Sequence, residues 1–258
     1  MRMFGVLSII ILLMGFSTPR QDKETKKDRR ISFKGGEKLV YRLHYGFLNG
    51  GNATLTVDEQ AFNNVPVYYA KAYAKTTGLT NTLFPIEDIY ESYFDKKSGK
   101  PYKAIRNISE GSYTSYSEDY FMFTDSTVHN KKLGRKKIPA NTLDMISSLY
   151  YLRGINVDTL RKGDIINFTT WFDNEIFPFY LRYKGKEIVT TKFGKIRCLR
   201  FDPIVEPGRI FKSEDDMSFW LTDDKNLIPV LVEFDLIVGA VKCELIDFQN
   251  LKSDIRFN

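Results

Sequence analysis

Histidine and cysteine are scarce: each occurs only twice in 258 residues, which removes whole classes of chemistry. His44 and His129 do not have the one-turn spacing of a metal-ligating pair, and no clustered cysteines complete a zinc or iron set. The chain also lacks the glycine-framed serine of a nucleophile elbow, a phosphate loop and a dinucleotide fingerprint. The sequence therefore assigns no catalytic residue, no metal and no cofactor. After the first twenty residues no apolar run is long enough for a membrane-spanning helix of about 20 residues. The two cysteines, Cys198 and Cys243, fall in separate expected strands. If the strands between them pair in chain order, two stand in the way, so both are expected to be buried thiols rather than a disulfide.

At the N-terminus, Arg2 precedes an apolar stretch from Val6 to Met14 broken only by Ser8, and Gly15-Phe16-Ser17 follows with small residues. This is the pattern of a cleaved export signal over residues 1–17. An uncleaved N-terminal anchor is the alternative. No cysteine lies near the boundary, so lipid attachment is not expected, and the location implied is the periplasm. From Arg20 to Arg30 six basic residues mix with three acidic ones, which reads as a solvated linker over 18–32. The formal charge of +6 owes much to that run. Beyond it both signs are interspersed, and the one other dense run, Lys131 to Lys137, reads as an exposed turn, so a nucleic-acid partner is not expected.

A hydrophobic fraction of 43% and an aromatic fraction of 14% support a sizeable core, expected as one β-rich domain over 33–250 with a tail at 251–258. From Gly36 the apolar residues alternate with period two: Leu39, Tyr41, Leu43, Tyr45 and Phe47 share a face against Lys38, Arg42 and His44. Asn49-Gly50 marks a tight turn before Ala53, Leu55 and Val57. Similar runs follow at 67–75, 89–95, 102–109, 113–123 and 126–130. Later ones stand at 165–172, 179–183, 187–191, 195–203, 217–222, 228–236 and 240–248, with Lys184-Gly185 as one of the turns. One helix is expected over 142–153, capped by Asn141 or Thr142, because Leu143, Ile146, Leu149 and Tyr150 recur at helical spacing. The fold class is all-β, mainly antiparallel: a curved meander sheet, or an open barrel or half-barrel, with that helix across it or plugging one end.

The aromatic residues are the best pointer to a ligand. Tyr41, Tyr45, Tyr69, Tyr73, Trp171 and Tyr183 are the candidate ligand-binding set, since a curved sheet lined by such rings can hold a lipid, a sterol-like molecule or a sugar face. Half-buried strands prefer the same residues for packing alone, and the pattern does not separate a filled interior from a hollow one. Glu37, His44 and Glu187 are the polar candidates. A buried carboxyl with a raised pKa suits proton transfer, whereas strand-end carboxylates commonly cap turns or pair with arginine.

The order of landmarks resembles a bacterial exported-protein family catalogued as domain of unknown function 3108. The matching residues run from Gly36-Glu37, Leu39 and Tyr41 through Gly51, Ala53, Tyr90-Glu91-Ser92-Tyr93, Asp95 and Pro101. They continue with Asp144, Tyr151-Leu152-Arg153, Gly163-Asp164, Glu187, Gly194, Cys198, Pro203, Trp220-Leu221, Asp224 and Ile228-Pro229-Val230. The resemblance covers about 33–248 and implies an envelope location and a β-rich fold; it implies no activity. The functional expectation is a non-enzymatic periplasmic binding or carrier module for a lipid or glycolipid. Alternatives are an envelope assembly factor acting through protein contacts, or a hydrolase of cell-wall glycan using Glu37 or Glu187.

Overall fold

The computed structural model describes residues 30–46, 48–204, 216–236 and 239–257, with the main chain but not the side chains of Tyr45 and Leu236. The export signal, most of the charged run and Phe47 therefore lie outside the described residues.

Alternation becomes strand wherever it was expected. In the first half these are β1 (Glu37–Tyr45), β2 (Leu48–Phe62), β3 (Val65–Thr76), β4 (Ile86–Asp95), β5 (Pro101–Glu110), β6 (Tyr113–Met122), β7 (Thr127–Asn130) and β8 (Gly134–Lys137). The second half holds β9 (Thr142–Asp144), β10 (Ile165–Phe172), β11 (Glu175–Thr191), β12 (Gly194–Pro203), β13 (Met217–Thr222), β14 (Pro229–Leu236) and β15 (Gly239–Gln249). Helix α1 covers Gly78–Leu83 and α2 covers Met145–Leu152. All fifteen strands form one sheet in the order β8-β7-β6-β5-β4-β3-β2-β1-β15-β14-β13-β12-β11-β10-β9. Two meanders are thus joined by pairing of the first strand with the last. Only β9 and β10 pair in parallel among the described strands.

The sheet is open, because β8 and β9 share no ladder. Its ends meet through side chains instead. Arg106 of β5 donates to Asp173 at the β10–β11 turn (2.8 Å), Lys136 of β8 donates to the Asn174 carbonyl (2.9 Å), and Trp171 packs among Phe121, Val128 and Ile138. The result is a barrel-like curl whose concave side carries Leu39, Tyr41, Leu43, Leu55, Ala70 and Phe219.

Several expectations need correction. Lys184-Gly185 is not a turn: β11 runs unbroken for 17 residues, and a bulge between Tyr183 and Gly185, with Gly185 at φ +113°, bends it. A long strand on a curled sheet needs such a bend, and glycine tolerates the positive φ. The helix starts later than residue 142 because 142–144 pair with β10, so the cap is Asp144 rather than Asn141 or Thr142. Asp144 Oδ1 accepts the amides of Ile146 (2.8 Å) and Ser147 (3.1 Å), and the Asp144 N–H donates to Ser147 Oγ (3.0 Å). The basic run is exposed, as expected, but 134–137 are an edge strand, where arginine and lysine discourage further pairing. Helix α1 was not anticipated; six residues with no buried face carry no periodic signal. The last residues of the expected linker and the expected tail both pack on the domain. Ser32 is buried, and Asn226 and Ser253 exchange two hydrogen bonds of 2.8 and 2.9 Å.

Candidate ligand cavity

Strand register fixes where the helix lies inside the curl. Glu37, Val57, Ala70, Ser92 and Ala104 are successive partners on one rung, near one rim of the sheet. Both ends of α2 are tied to that rung. At its start Ser92 Oγ donates to Asp144 Oδ2 (2.6 Å), and burial pushes the Asp144 pKa up despite the hydrogen bonds it accepts. At its end Arg153, fully buried, donates to Glu37 Oε1 (2.5 Å) and Oε2 (2.9 Å), to the Asn226 carbonyl (3.1 Å) and to the Ser32 carbonyl (3.4 Å). Burial alone would lower the Arg153 pKa, but the Glu37 carboxylate outweighs it and the net shift is upward. Between the two ties Tyr150 sits against Phe33 and Phe94. The helix therefore plugs one rim.

Toward the opposite rim the interior is not filled. A cavity of about 220 Å³ lies between α2 and that rim. Met145, Ile146, Leu149 and Leu152 face it from the helix; Leu55, Ala72, Phe168, Phe179, Phe219 and Val232 face it from the sheet. Several of these apolar side chains, Leu149, Phe168, Phe179 and Val232 among them, are only half buried, as an unfilled apolar space requires. The wall offers almost no free polar atom. Tyr41 Oη donates to the Pro229 carbonyl (3.1 Å) and Ser148 Oγ to the Met145 carbonyl (2.7 Å). Thr54 alternates with the inward Ala53 and Leu55, so its side chain points away. Burial raises the Tyr41 pKa well above its usual value, and burial with Glu244 nearby pushes the Cys243 thiol up to about 12. The cavity suits a group with no charge and no hydrogen bonds to satisfy.

Of the sequence candidates whose side chains are described, Tyr41 lines this cavity and the rest do not. Tyr69 and Tyr73 lie on the convex face, donating to Glu91 (2.6 Å) and Glu87 (2.9 Å). They are one residue out of phase with Tyr68 and Ala72, which point inward. Trp171 is buried at the seam where the sheet ends meet, and Tyr183 packs on Phe201 (5.3 Å between centroids) away from the space. The Tyr45 side chain lies outside the described ones. Glu37 is locked to Arg153; His44 Nε2 stands 3.3 Å from Glu244 on the convex face; Glu187 is exposed and accepts the Trp220 indole N–H. Four strands separate Glu37 from Glu187 in the sheet order, so these two form no acid–base pair. Sequence reasoning missed Leu149, Phe168, Phe179 and Cys243. Phe168 and Phe179 are direct partners across the β10–β11 hairpin, a signal the aromatic alternation there carried.

Residues 40–246 match a family described as Protein of unknown function (DUF3108). The chain belongs to this family. No curated protein matches the DUF3108 chain. Among solved structures it is similar to a β-barrel-like DUF1849 protein from Brucella abortus, with a TM-score of 0.56 and 8% identity over 87% of this chain and 100% of the other. That likeness shows the fold alone. Weaker likenesses are a DUF1089 protein from Pseudomonas aeruginosa (TM-score 0.31, 7% identity, 78% and 92% covered) and a Bacteroides fragilis protein with a YmcC-like fold, described as exported on inference (TM-score 0.34, 10% identity, 86% and 100% covered). Among the described residues of the DUF3108 chain no group of three or more His, Cys, Asp or Glu could hold a metal, and no helix is long and apolar enough to cross a membrane.

Proposed function

We propose that this DUF3108 chain is a binding or carrier module of the bacterial envelope that shelters the hydrocarbon part of a lipid in the hollow of its curled sheet. The observation that carries the reading is the cavity: about 220 Å³, lined by apolar side chains, its two inward hydroxyls already spent on main-chain carbonyls. Drug-sized ligands occupy pockets of about 300–1,000 Å³. This smaller space fits one chain segment, with any head group, sugar or phosphate, left outside. The signal pattern over residues 1–17 and the exported-protein resemblance support placing the work in the periplasm.

Native mass spectrometry of protein purified from a Gram-negative host, followed by displacement of a fluorescent fatty acid, tests the reading. Ala72 lines the wall, so Ala72→Phe and Leu149→Trp fill the space from opposite sides. Retained lipid in the parent and loss of probe binding in both variants, with unfolding still cooperative, are expected. A parent that binds no probe, or filled variants that bind it unchanged, overturns the proposal.

A further inference from the structure

Tyr69 and Tyr73, which do not line the cavity, belong to a field of rings on the convex face of β3–β6. Along β3 each of these tyrosines is followed two residues later by a lysine, and each Tyr-x-Lys step shares one carboxylate on β4. Tyr69 Oη donates to Glu91 (2.6 Å), with Lys71 Nζ 3.7 Å from the same carboxylate. Tyr73 Oη donates to Glu87 (2.9 Å), with Lys75 Nζ at 3.5 Å. On β6 the arrangement recurs around Glu118, which accepts from Tyr116 (2.6 Å) and Tyr120 (2.7 Å) and pairs with Lys103 of β5 (3.0 Å). Those three donors, Tyr116 first, lower the Glu118 pKa to about 2, so the carboxylate stays charged at neutral pH.

Register explains how the rings lie. Tyr69 stands opposite Tyr93 and Tyr73 opposite Ile89, yet each hydroxyl reaches the residue two places along the neighbouring strand. A ring drawn to a diagonal partner lies along the sheet and turns one face to solvent. Tyr93 packs beside Tyr69 (4.7 Å between centroids) and Phe62 (5.5 Å), and Phe62 stacks on Tyr102 (6.1 Å), which extends the field. Tyr116 is 63% exposed and the other rings are half buried. Core packing accounts for the inward Tyr68 and Tyr90, both buried, but not for these outward ones. Four strands about 4.8 Å apart, and the four-residue step from Tyr69 to Tyr73, make the field about 14 Å in each direction.

We propose that this convex face is a second binding site, separate from the cavity, and that it takes an extended, uncharged glycan chain. A sugar ring has an apolar C–H face that stacks on an aromatic ring, and a rim of hydroxyls that both donate and accept hydrogen bonds. The field supplies both halves: ring faces, with carboxylate acceptors and ammonium donors fixed beside them, whose bonds to hydroxyls are charge-assisted. An ionised carboxylate has about four acceptor positions, and the bonds just described leave at least one on each for a ligand hydroxyl. Each carboxylate that holds a ring is matched by a lysine, so the field attracts neither a polyanion nor a polycation. A hydrocarbon surface is excluded too, since covering three ion pairs with lipid would strand their charges. Small single ligands favour concave pockets, whereas an outward-curving field of this extent suits several linked sugars.

An array of uncharged β-linked hexose and N-acetylhexosamine oligosaccharides, followed by calorimetric titration of the oligosaccharide it selects, tests the inference. The proteins compared are the parent, Tyr73→Ala, Tyr116→Ala and the double variant. Both rings lie on the outside of the sheet, so the variants keep cooperative unfolding. Affinity is expected to fall about tenfold for one ring and about 100-fold for both. Leu149→Trp, which fills the cavity, is expected to bind the oligosaccharide as the parent does. A parent that binds nothing on the array, or ring variants that bind as tightly as the parent, overturns the proposal and leaves the cavity reading standing. Loss of glycan binding in a folded Leu149→Trp overturns it as well, by placing the ligand in the hollow. So does a parent dimer that the double substitution splits into monomers, since a second copy of the chain then covers the face.

Discussion

Replacing Glu37 by glutamine isolates a buried positive charge at the point where four parts of the chain are tied together. Arg153 is fully buried at the end of α2, and its guanidinium is shared between the Glu37 carboxylate at 2.5 and 2.9 Å and the carbonyls of Asn226 and Ser32. It also lies over the rings of Phe33 (5.4 Å) and Tyr150 (5.3 Å). Glutamine has the same shape but carries no charge, and one of its two terminal atoms becomes a donor facing another donor. Breaking a buried pair in this way costs about 3–5 kcal/mol, since the remaining charge stays desolvated. For a domain of this size 1 kcal/mol moves Tm by about 2–4 °C, so Tm is expected to fall by about 6–20 °C, with urea unfolding reporting the same loss. Glu37→Leu/Arg153→Met removes both charges and should cost less than the two single changes added together, because neither leaves its partner stranded in the double variant. It does not become neutral, since the Asn226 and Ser32 carbonyls lose their donor. A loss below about 1 kcal/mol for Glu37→Gln, or strict additivity in the double variant, refutes the reasoning. The same cycle distinguishes a structural ion pair from the acid–base role considered for Glu37, which predicts little change in stability.

Three further outcomes follow from particular side chains. Asp88, buried on the concave face beside Glu110, has its pKa raised to about 7, first by burial and then by the Glu110 charge. The folded state thus holds a proton that the unfolded chain has released, and stability should fall by up to about 1.4 kcal/mol per pH unit as pH rises from about 4 to 7. Asp88→Asn should flatten that slope in urea titrations at several pH values, and an unchanged slope would count against the buried pair. A Cβ added at Gly51 would run into the Lys75 carbonyl and the Thr76 Cα of the neighbouring strand, so Gly51→Ala should lose about 1–3 kcal/mol; unchanged chemical denaturation contradicts that close approach. Burial pushes both thiols, Cys198 and Cys243, up to about 12, so N-ethylmaleimide at pH 8 should label the native protein about 1,000-fold more slowly than a free thiol. Labelling of the buried Cys198 or the half-buried Cys243 at the free-thiol rate would contradict the shielding of that thiol.

Alternation of apolar and polar residues was enough to place the long strands. Ile165–Phe172 and Met217–Thr222 have the boundaries their patterns indicate, and the strands between Cys198 and Cys243 pair in chain order as expected. The errors fall where local signals serve two purposes. Lys184-Gly185 has turn chemistry but forms a bulge, and Thr142 has capping chemistry but joins a parallel bridge to β10. The site was less legible. Tyr68 and Tyr69 are adjacent and equally aromatic, yet one is buried against Phe33 at 4.9 Å and the other bonds Glu91 on the convex side.

By itself the sequence determined that this is a β protein with one amphipathic helix, because period two and period 3.6 are properties of neighbours along the chain. Which face of the sheet became the inside, and that α2 closes one rim and leaves a hollow toward the other, was decided only in three dimensions. Those outcomes depend on Ser92 meeting Asp144 and Glu37 meeting Arg153, groups 52 and 116 residues apart. They depend also on bulges that reset the inward parity of a strand midway along it. No local pattern encodes either, since a side chain's face is fixed by what the distant chain packs against it.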